Sequence, residues 1–412
     1  MRKTESLTSE QSSSFVEGLI SFDDFGSQSQ IEEVKFGGVM VKVIINEFWT
    51  SKQRVASSIH EISYRACFKP QLARFFIERL TAKGDRVLDP FMGRGTTLIE
   101  AALLERVPIG CDVNPLSKIL IEPRFKCPSL DEVCEALTEI DLNYGGEIDE
   151  ELLVFYHEET LRDLMALREL FLADNSNPVL KWLQMIATNR LSGHSPGFFS
   201  VYSMPPNQAV SVKSQRKINE RRDQIPPVRD VKKILLKKSK TLLGKVLQDE
   251  QSKLIKAGKG VKLLTQSADD LTGVDDASVQ LVVTSPPFLD VIDYKKDNWL
   301  RCWFNGIDAS EVPIWQLRKT EDWQKAMGKV FLELMRVLKP RGHVAFEVGE
   351  VRGGKLKMEE LVIPVAQEAG FQLICVMVNA QEFTKTANCW GIENQKKGTN
   401  TNRIVILKKP AQ

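Results

Sequence analysis

The sequence predicts an α/β fold in which helices cover both faces of a mostly parallel β-sheet. Three observations predict it. Residues 70–111 alternate helix, strand, glycine turn, helix and strand, apolar strand-like runs recur between residues 260 and 409, and polar residues directly follow several of these runs. Alternating strands and helices are typical of parallel sheets, because each crossover helix covers one face.

The first β-α-β unit has the clearest boundaries. A helical pattern ends near Lys83 and Gly84, and an apolar strand covers residues 86–88. A helix over residues 97–105 and a strand over residues 108–111 follow. The sequence predicts the later strands within residues 260–270, 279–287, 342–351, 371–380 and 402–409, and later helices over 321–338 and 357–369.

Length and composition describe a globular chain. Its 412 residues, 42% of them apolar, can form one large domain with an insertion or two domains. Apolar runs stay below the roughly 18 residues of a membrane span and the N-terminus lacks the apolar core of a signal peptide, so we expect a cytoplasmic protein. The seven cysteines contain no C-x-x-C pair, which predicts reduced thiols and no metal site.

Two segments depart from the sheet pattern. Residues 1–34 are rich in Ser, Gln and acids and predict a mobile polar arm. Residues 127–255 predict a largely helical insertion after the second strand, longer than an ordinary crossover. Within the insertion, residues 213–240 hold eleven Lys and Arg against three acids, a local net charge of +8 in a chain of net charge +2.

The turn after the first strand predicts a ligand pocket. Asp89 ends the strand, and Gly93 and Gly95 lie in the turn. Ligands of open α/β sheets bind at the carboxyl ends of strands, and glycines let the backbone come close to them, although such turns also serve purely structural corners. About twenty residues further on, Asp112 ends the next strand, where an acid can accept both hydroxyls of a ribose. Asp269 at the end of the third strand is a candidate to hold an adenine amino group.

Residues 282–288, VVTSPPF, predict a second functional strand end. The two prolines lack backbone N–H groups, so the strand must stop there. Ser285 offers a hydroxyl oxygen and Pro286 a carbonyl oxygen, and the proline rings fix the direction of that carbonyl. Both oxygens can accept the hydrogens of an exocyclic amine, and Phe288 offers a flat face for a base taken out of the stack. A purely structural double-proline loop is the alternative.

Two motifs resemble those of the DNA amino-methyltransferases, which modify N4 of cytosine or N6 of adenine. DPFMGRGTT, residues 89–97, is similar to their S-adenosylmethionine motif, and TSPPF, residues 284–288, to their catalytic motif. The resemblance covers roughly residues 60–125 and 260–410. It implies a Rossmann-like class I methyltransferase fold with a seven-stranded sheet.

The resemblance also divides the chain and assigns site residues. It implies a cofactor half, residues 35–126, and a catalytic half, residues 256–412, on either side of the insertion. The expected residues that bind S-adenosyl-L-methionine are Phe68, Lys69, Pro70, Asp89, Pro90, Phe91, Gly93, Gly95, Thr96, Thr97, Asp112 and Asp269. The expected catalytic residues are Ser285, Pro286, Pro287 and Phe288.

Two parts of the insertion are candidates for contacting nucleic acid. The basic run can neutralise phosphates without reading sequence, although most charge runs are solvated helix faces. Residues 189–208 mix amides, hydroxyls, a histidine and aromatic rings in an irregular loop and are candidates for reading bases, while His194 fits a structural role equally well. The candidate nucleic-acid-binding residues are Lys213, Arg216, Lys217, Arg221, Arg222, Lys232, Lys233 and His194.

These features predict a site-specific methyltransferase for N4 of cytosine in double-stranded DNA, because the resembling enzymes with serine at the position of Ser285 mostly modify cytosine. N6 of adenine is the second choice. An RNA amino-methyltransferase and a cofactor- and DNA-binding module without catalysis are the alternatives. A cognate restriction endonuclease, as in a restriction–modification system, and the oligomeric state are left open.

Overall fold

The computed structural model describes residues 13–36, 38–50, 56–65, 67–173, 176–287, 289, 293–351, 356–380 and 401–411. Within these residues the main sheet has nine strands in the order β1-β2-β10-β11-β7-β6-β3-β4-β5. Their bounds are β1 Gln30–Phe36, β2 Val39–Asn46, β3 Arg86–Asp89, β4 Val107–Cys111, β5 Lys262–Leu264, β6 Val279–Thr284, β7 Leu338–Val348, β10 Gln372–Ala380 and β11 Thr401–Lys408. A separate antiparallel pair joins β8 Glu350–Val351 to β9 Leu356–Lys357.

The sheet confirms the predicted Rossmann-like α/β class. Strands β5, β4, β3, β6 and β7 pair in parallel, and β11 runs antiparallel to both of its neighbours. The strands predicted between residues 86 and 409 are all present. The sequence also predicts a strand within residues 37–54, and this strand is β2, which pairs in parallel with β10. Strand β1, which was not predicted, pairs antiparallel with β2 and extends the sheet to nine.

Helices cover both faces of the sheet. Their bounds are α1 13–20, α2 Pro70–Leu80, α3 Thr96–Leu103, α4 Pro115–Ile121, α5 Leu130–Glu139, α6 Glu158–Ala173, α7 Pro178–Thr188, α8 Val212–Arg222, α9 Val231–Leu243, α10 Gln248–Gly258, α11 Tyr294–Phe304, α12 Thr320–Val337 and α13 Glu359–Glu368. Side chains alternate between the faces of each strand. Val87 and Leu281 pack with α1 and α2, whereas Leu88 and Val282 pack with α12 and α13.

The N-terminal segment differs from the mobile arm predicted for residues 1–34. From residue 13 onward it is folded, because Phe15, Leu19 and Phe22 are buried in the core cluster that includes Phe75 and Phe76 of α2. Polar residues dominate the composition of this segment, so its few buried apolar residues did not indicate a folded structure. Residues 1–12 lie outside the described residues.

The segment between β4 and β5 is helical, as predicted, but it shares its core with the rest of the fold. Leu164, Trp182 and Leu235 of this insertion belong to the same buried cluster as Ile99 of α3 and Leu300 of α11. Ser129 begins α5 with a capping box, in which its hydroxyl accepts the Glu132 N–H and the Glu132 carboxylate accepts the Ser129 N–H. The insertion therefore packs against α11, the helix that follows the predicted catalytic residues 285–288 in the chain.

We predict that Leu19→Ala lowers the free energy of unfolding by about 2–5 kcal/mol, because Leu19 is only 1% exposed and its loss leaves a cavity. Urea denaturation measures the change. Ser14→Ala, at an exposed position of the same helix, is the control and should change little. Equal stability of the Leu19 variant and the unaltered chain would contradict the packed N-terminal segment.

Candidate active site

A cleft opens at the carboxyl ends of β3, β4 and β6. Its volume is about 840 Å³, counting the solvent at its mouth. The expected cofactor residues that line it are Phe68, Asp89, Pro90, Phe91, Gly93, Thr96 and Asp112, and the expected catalytic residues that line it are Ser285 and Pro287. The fold therefore brings the two predicted motifs, almost 200 residues apart in the chain, to one cavity.

The turn between β3 and α3 comes close to the cleft because two glycines adopt left-handed backbone conformations. The φ angle is 47° at Gly93 and 78° at Gly95. A Cβ atom on Gly95 would lie 2.7 Å from Cγ1 of Ile121, and one on Gly93 would lie 3.5 Å from the ring of Tyr64. A side chain at Gly95 would therefore clash, and the left-handed conformation of Gly93 favours glycine there as well, so the backbone of Gly93 forms this part of the wall.

Asp89 is almost fully buried and joins two strands. Its Oδ1 accepts hydrogen bonds from the Thr284 hydroxyl at 2.7 Å and from the Phe91 N–H at 3.1 Å. Desolvation raises the pKa of Asp89 to about 7, and these hydrogen bonds oppose the rise. The end of β3 is thus fixed to the end of β6, one residue before Ser285.

Asp112 holds the glycine turn as well as lining the cleft. Its Oδ2 accepts the Gly93 N–H and its Oδ1 the Asn114 N–H, both at 2.9 Å. Burial raises the pKa of Asp112, against the effect of these hydrogen bonds. Each carboxylate oxygen can accept a second hydrogen bond, so the group can still bind ligand hydroxyls.

Four expected cofactor residues support the cleft from outside its wall. Lys69 is the N-cap residue of α2 and Pro70 is its first residue. Gly95 is the N-cap of α3, and the Thr97 hydroxyl donates to the Val283 carbonyl at 3.0 Å. These residues shape the turn and the helix starts rather than face the cavity.

Asp269 also lies outside the wall. Strand β5 ends at Leu264, and Ser267 and Ala268 are the residues of the following segment that line the cleft. The Ser267 hydroxyl donates to the Asp269 carboxylate. The predicted strand region extended to residue 270, whereas β5 ends at Leu264, so Asp269 lies in the loop beyond the strand end.

The catalytic corner begins where β6 ends, at Thr284. Ser285 and Pro287 line the cleft, whereas Pro286 is buried. The Pro287 carbonyl accepts the indole N–H of Trp323 at 3.2 Å, which ties the corner to α12. Phe288, the fourth expected catalytic residue, lies outside the described residues.

Glu347 is a buried acid beside this corner, and it was not predicted as a site residue from the sequence. It lies near the end of β7, with 5% of its surface exposed, next to the Thr284–Phe346 pair. The Asn402 amide donates to Oε1 of Glu347 at 2.8 Å. Burial raises the pKa of Glu347, and the nearby Ser285 and Asn402 side chains oppose the rise. The single acid in the apolar run HVAFEV was the available signal.

Three aromatic side chains that were not predicted line the cleft as well, namely Tyr64, Tyr294 and Trp315. The ring of Trp315 meets that of Phe91 edge to face, with 6.1 Å between centroids. Burial raises the pKa values of both tyrosines well above their usual range, so their hydroxyls stay protonated. Phe91 and Trp315 give this end of the cleft the apolar, flat surface typical of a nucleobase pocket.

The predicted phosphate-contacting residues fall into two groups. The exposed ones are Lys213, Arg216, Lys217, Arg221 and Arg222 on α8 and Lys233 on α9. By contrast, Nζ of Lys232 donates to the Ile140 carbonyl at 2.6 Å. Helix α8 is therefore the more available cationic surface.

The candidate base-reading loop, residues 189–208, packs its phenylalanines inward. Phe198 and Phe199 are buried, and the Arg190 guanidinium lies 4.1 Å from the centroid of the Phe198 ring. The His194 ring lies 6.3 Å from the same centroid. The phenylalanines are packing residues, and a role for His194 in DNA binding stays a prediction.

Two observations apply to the described part of the chain. Its His, Cys, Asp and Glu side chains form no group of three or more that could hold a metal ion. Each of its helices is too short or too polar to cross a lipid bilayer.

Comparison with known proteins relates the chain to methyltransferases. Residues 27–121 match the family described as DNA methylase. The type II methyltransferase M.BsoBI of Geobacillus stearothermophilus is 25% identical, over 69% of this chain and 61% of its own length. The type II methyltransferase M.MjaII of Methanocaldococcus jannaschii is 30% identical, over 25% of this chain and 19% of its own length. A tRNA (guanine(10)-N2)-dimethyltransferase of the same organism is 35% identical, over 18% of this chain and 25% of its own length.

These matches agree with the predicted resemblance to DNA amino-methyltransferases. The sheet order and the carboxyl-edge cleft agree with the class I methyltransferase fold. The chain spans 61% of the length of M.BsoBI.

We predict that Gly95→Ala weakens binding of S-adenosylmethionine about tenfold or more. The left-handed conformation strains an alanine, and its Cβ would push Ile121, so the turn must shift. Calorimetric titration measures the affinity. Gly145→Ala, where a Cβ meets no atom within 4 Å, is the control. An unchanged affinity for the Gly95 variant would show that the turn does not hold the cofactor.

Proposed function

We propose that the protein is a site-specific methyltransferase that transfers a methyl group from S-adenosylmethionine to N4 of cytosine in double-stranded DNA. The observation that carries the proposal is the position of Ser285 in the same cleft as Asp112 and the glycine turn. A hydrogen-bond acceptor for an amine and a nucleoside-binding edge thus face one cavity.

The chemistry of the cleft fits this cofactor. Asp112 offers acceptors for the ribose hydroxyls, and Phe91 and Trp315 offer apolar faces for the adenine ring. The backbone next to Gly93 leaves room for the methionine end. When bound, S-adenosylmethionine supplies an electrophilic methyl group on a sulfonium ion.

Ser285 would act as an acceptor with its own hydrogen directed to the neighbouring Glu347 carboxylate, beside the end of β6. Its remaining lone pairs can then hold a hydrogen of the target amine, whose nitrogen lone pair is otherwise delocalised into the ring. The nitrogen would form a bond to the methyl carbon as the bond from sulfur to that carbon breaks, which leaves S-adenosylhomocysteine, and the nitrogen would then release one proton to water. Glu347 is a positioning residue in this step, since it acts through Ser285.

Cytosine N4 is favoured over adenine N6 because a neutral serine occupies the first position of the corner, and the resembling enzymes with serine at this position mostly modify cytosine. The type II methyltransferase relatives support DNA as the substrate. Adenine N6 remains the second choice. A cognate restriction endonuclease and a cytoplasmic location stay predictions.

RNA is the alternative substrate, because one relative is named as a tRNA dimethyltransferase acting on guanine N2. The match to this tRNA enzyme covers 18% of the chain, whereas the match to the type II methyltransferase M.BsoBI covers 69% of it. An in vitro assay with labelled S-adenosylmethionine, offering duplex DNA and bulk tRNA separately, distinguishes the two substrates. We expect transfer to DNA only.

Expression in a host without DNA methylation should introduce 4-methylcytosine at one short motif. Ser285→Ala should lower it by about a hundredfold or more, because the amine loses an acceptor at the reacting centre. Nucleoside mass spectrometry and single-molecule sequencing measure the product. Ser252→Ala, an exposed serine on α10, is the control.

The modified base decides the assignment. 6-Methyladenine at the motif would overturn the choice of cytosine. 5-Methylcytosine would overturn the mechanism as well, because methylation at carbon requires a cysteine nucleophile.

Glu347→Gln should slow methyl transfer by about 10- to 100-fold and flatten its dependence on pH. In the unaltered protein the rate rises with pH as Glu347 loses its proton, since a protonated carboxyl can donate to Ser285 and occupy its lone pair. The rate rises at a pH above the ordinary pKa range of glutamate, because burial raises the pKa of Glu347.

Single-turnover rates between about pH 5 and 9 test this role. Glu347→Asp should keep a pH-dependent rate, and all variants should keep the cofactor affinity. If the Gln variant has the pH profile of the unaltered protein, Glu347 does not position Ser285 for methyl transfer.

Helix α8 should contact DNA phosphates. Lys213→Gln with Lys217→Gln should weaken binding to all duplexes alike and lower the slope of log affinity against log salt by up to about two units. Lys325→Gln with Lys329→Gln is a matched control, because these lysines have the same spacing and are exposed on α12. Equal effects of the two pairs would show general electrostatics and no contact specific to α8.

A further inference from the structure

The loop between α8 and α9 presents an apolar tip to solvent. Ile225 is 86% exposed and Val228 54% exposed, with Pro226 and Pro227 between them. Ile225 is the most exposed large apolar side chain in the described part of the chain. Single exposed apolar residues are ordinary, but two on one proline-stiffened tip mark a contact surface.

Hydrogen bonds hold both ends of this loop. On one side, the Gln224 amide donates to the Tyr202 carbonyl at 2.9 Å and to Oδ1 of Asn219 at 2.8 Å. On the other side, the Arg229 N–H donates to the Thr160 hydroxyl at 2.8 Å. The two prolines have fixed φ angles, so the loop cannot fold down to bury Ile225 without breaking these anchors.

The charges around the tip select its partner. Arg221 and Arg222 precede it at the end of α8, Arg229 and Lys233 follow it, and the exposed acids Asp223 and Asp230 lie on either side of it. The cations outnumber these acids, and the whole basic run has a net charge of +8. An apolar tip on a surface of net positive charge is complementary to a polyanion with an apolar interior, which describes stacked bases between phosphate chains.

We propose that the tip formed by residues 225–228 is a wedge that enters a base step of duplex DNA while the flanking cations bind the phosphates. The inference rests on the proposed function, since methylation of an exocyclic amine requires the target base to leave the stack. Apolar side chains that enter a step unstack it and untwist the duplex. The wedge would therefore open a base step of the bound DNA.

A topology assay tests the wedge without knowledge of the recognition sequence. The full chain is bound to relaxed closed-circular plasmid in the presence of S-adenosylhomocysteine, which prevents turnover. Topoisomerase I is then added, the protein is removed, and the plasmid topoisomers are separated on a gel. Binding to the same plasmid is measured in parallel by filter retention. Ile225→Ser is compared with Leu332→Ser, a control that removes an exposed leucine on α12.

We expect the unaltered protein and the Leu332 variant to leave the plasmid with a reduced linking number, and the Ile225 variant to lose most of that reduction while binding as much DNA. Equal linking numbers with the unaltered protein and the Ile225 variant, at equal binding, would overturn the wedge and leave the proposed function intact. Absence of DNA binding by every protein would instead contradict the DNA substrate. A change in oligomeric state on Ile225→Ser, without a change in linking number, would overturn the wedge in favour of a contact between copies.

Discussion

The hydrogen bond between Asp89 and Thr284 is the contact on which the site depends. It joins the end of β3, which carries the glycine turn, to the end of β6, which carries the Ser-Pro-Pro corner, at 2.7 Å. The same carboxylate oxygen accepts the Phe91 N–H, so the turn is aligned with the corner. Parallel pairing of β3 and β6 brings these ends together, and the buried carboxylate fixes their relative position.

A second set of contacts fixes the chemical state of the corner. Glu347 lies on β7 next to the end of β6, and Asn402 at the start of β11 donates to it. Three neighbouring strands therefore place the buried carboxylate beside Ser285. A site built on strand ends keeps this geometry more rigidly than one on loops, which suits a reaction that depends on orientation.

The sequence predicted the parts of the site that local chemistry marks. The glycine turn needs two left-handed residues, the prolines must end β6, and Asp112 follows an apolar strand, so each leaves a recognisable pattern. Glu347 and Trp315 were missed because their roles arise from pairing and packing between distant segments. Asp269 was expected at the end of the third strand, but β5 ends at Leu264 and Asp269 lies in the following loop.

The N-terminal segment and the insertion show the same division. Phe15 and Leu19 are sparse in a polar segment, and only their contacts with α2 reveal that it is folded. In the insertion, composition predicted the basic surface of α8, but it could not show that Phe198 and Phe199 are buried or that Lys232 is bonded to Ile140. Burial depends on the tertiary partner, which composition does not contain.

A crystal structure of the protein with S-adenosylhomocysteine and a duplex that contains its methylated motif tests the role of Ser285 most directly. If Ser285 accepts a hydrogen from the target amine, the cytosine lies out of the stack, with its N4 amine about 3 Å from Oγ of Ser285 and the cofactor ribose at Asp112. A target base left in the stack, or an amine held away from Ser285 with the cofactor bound elsewhere, would contradict it.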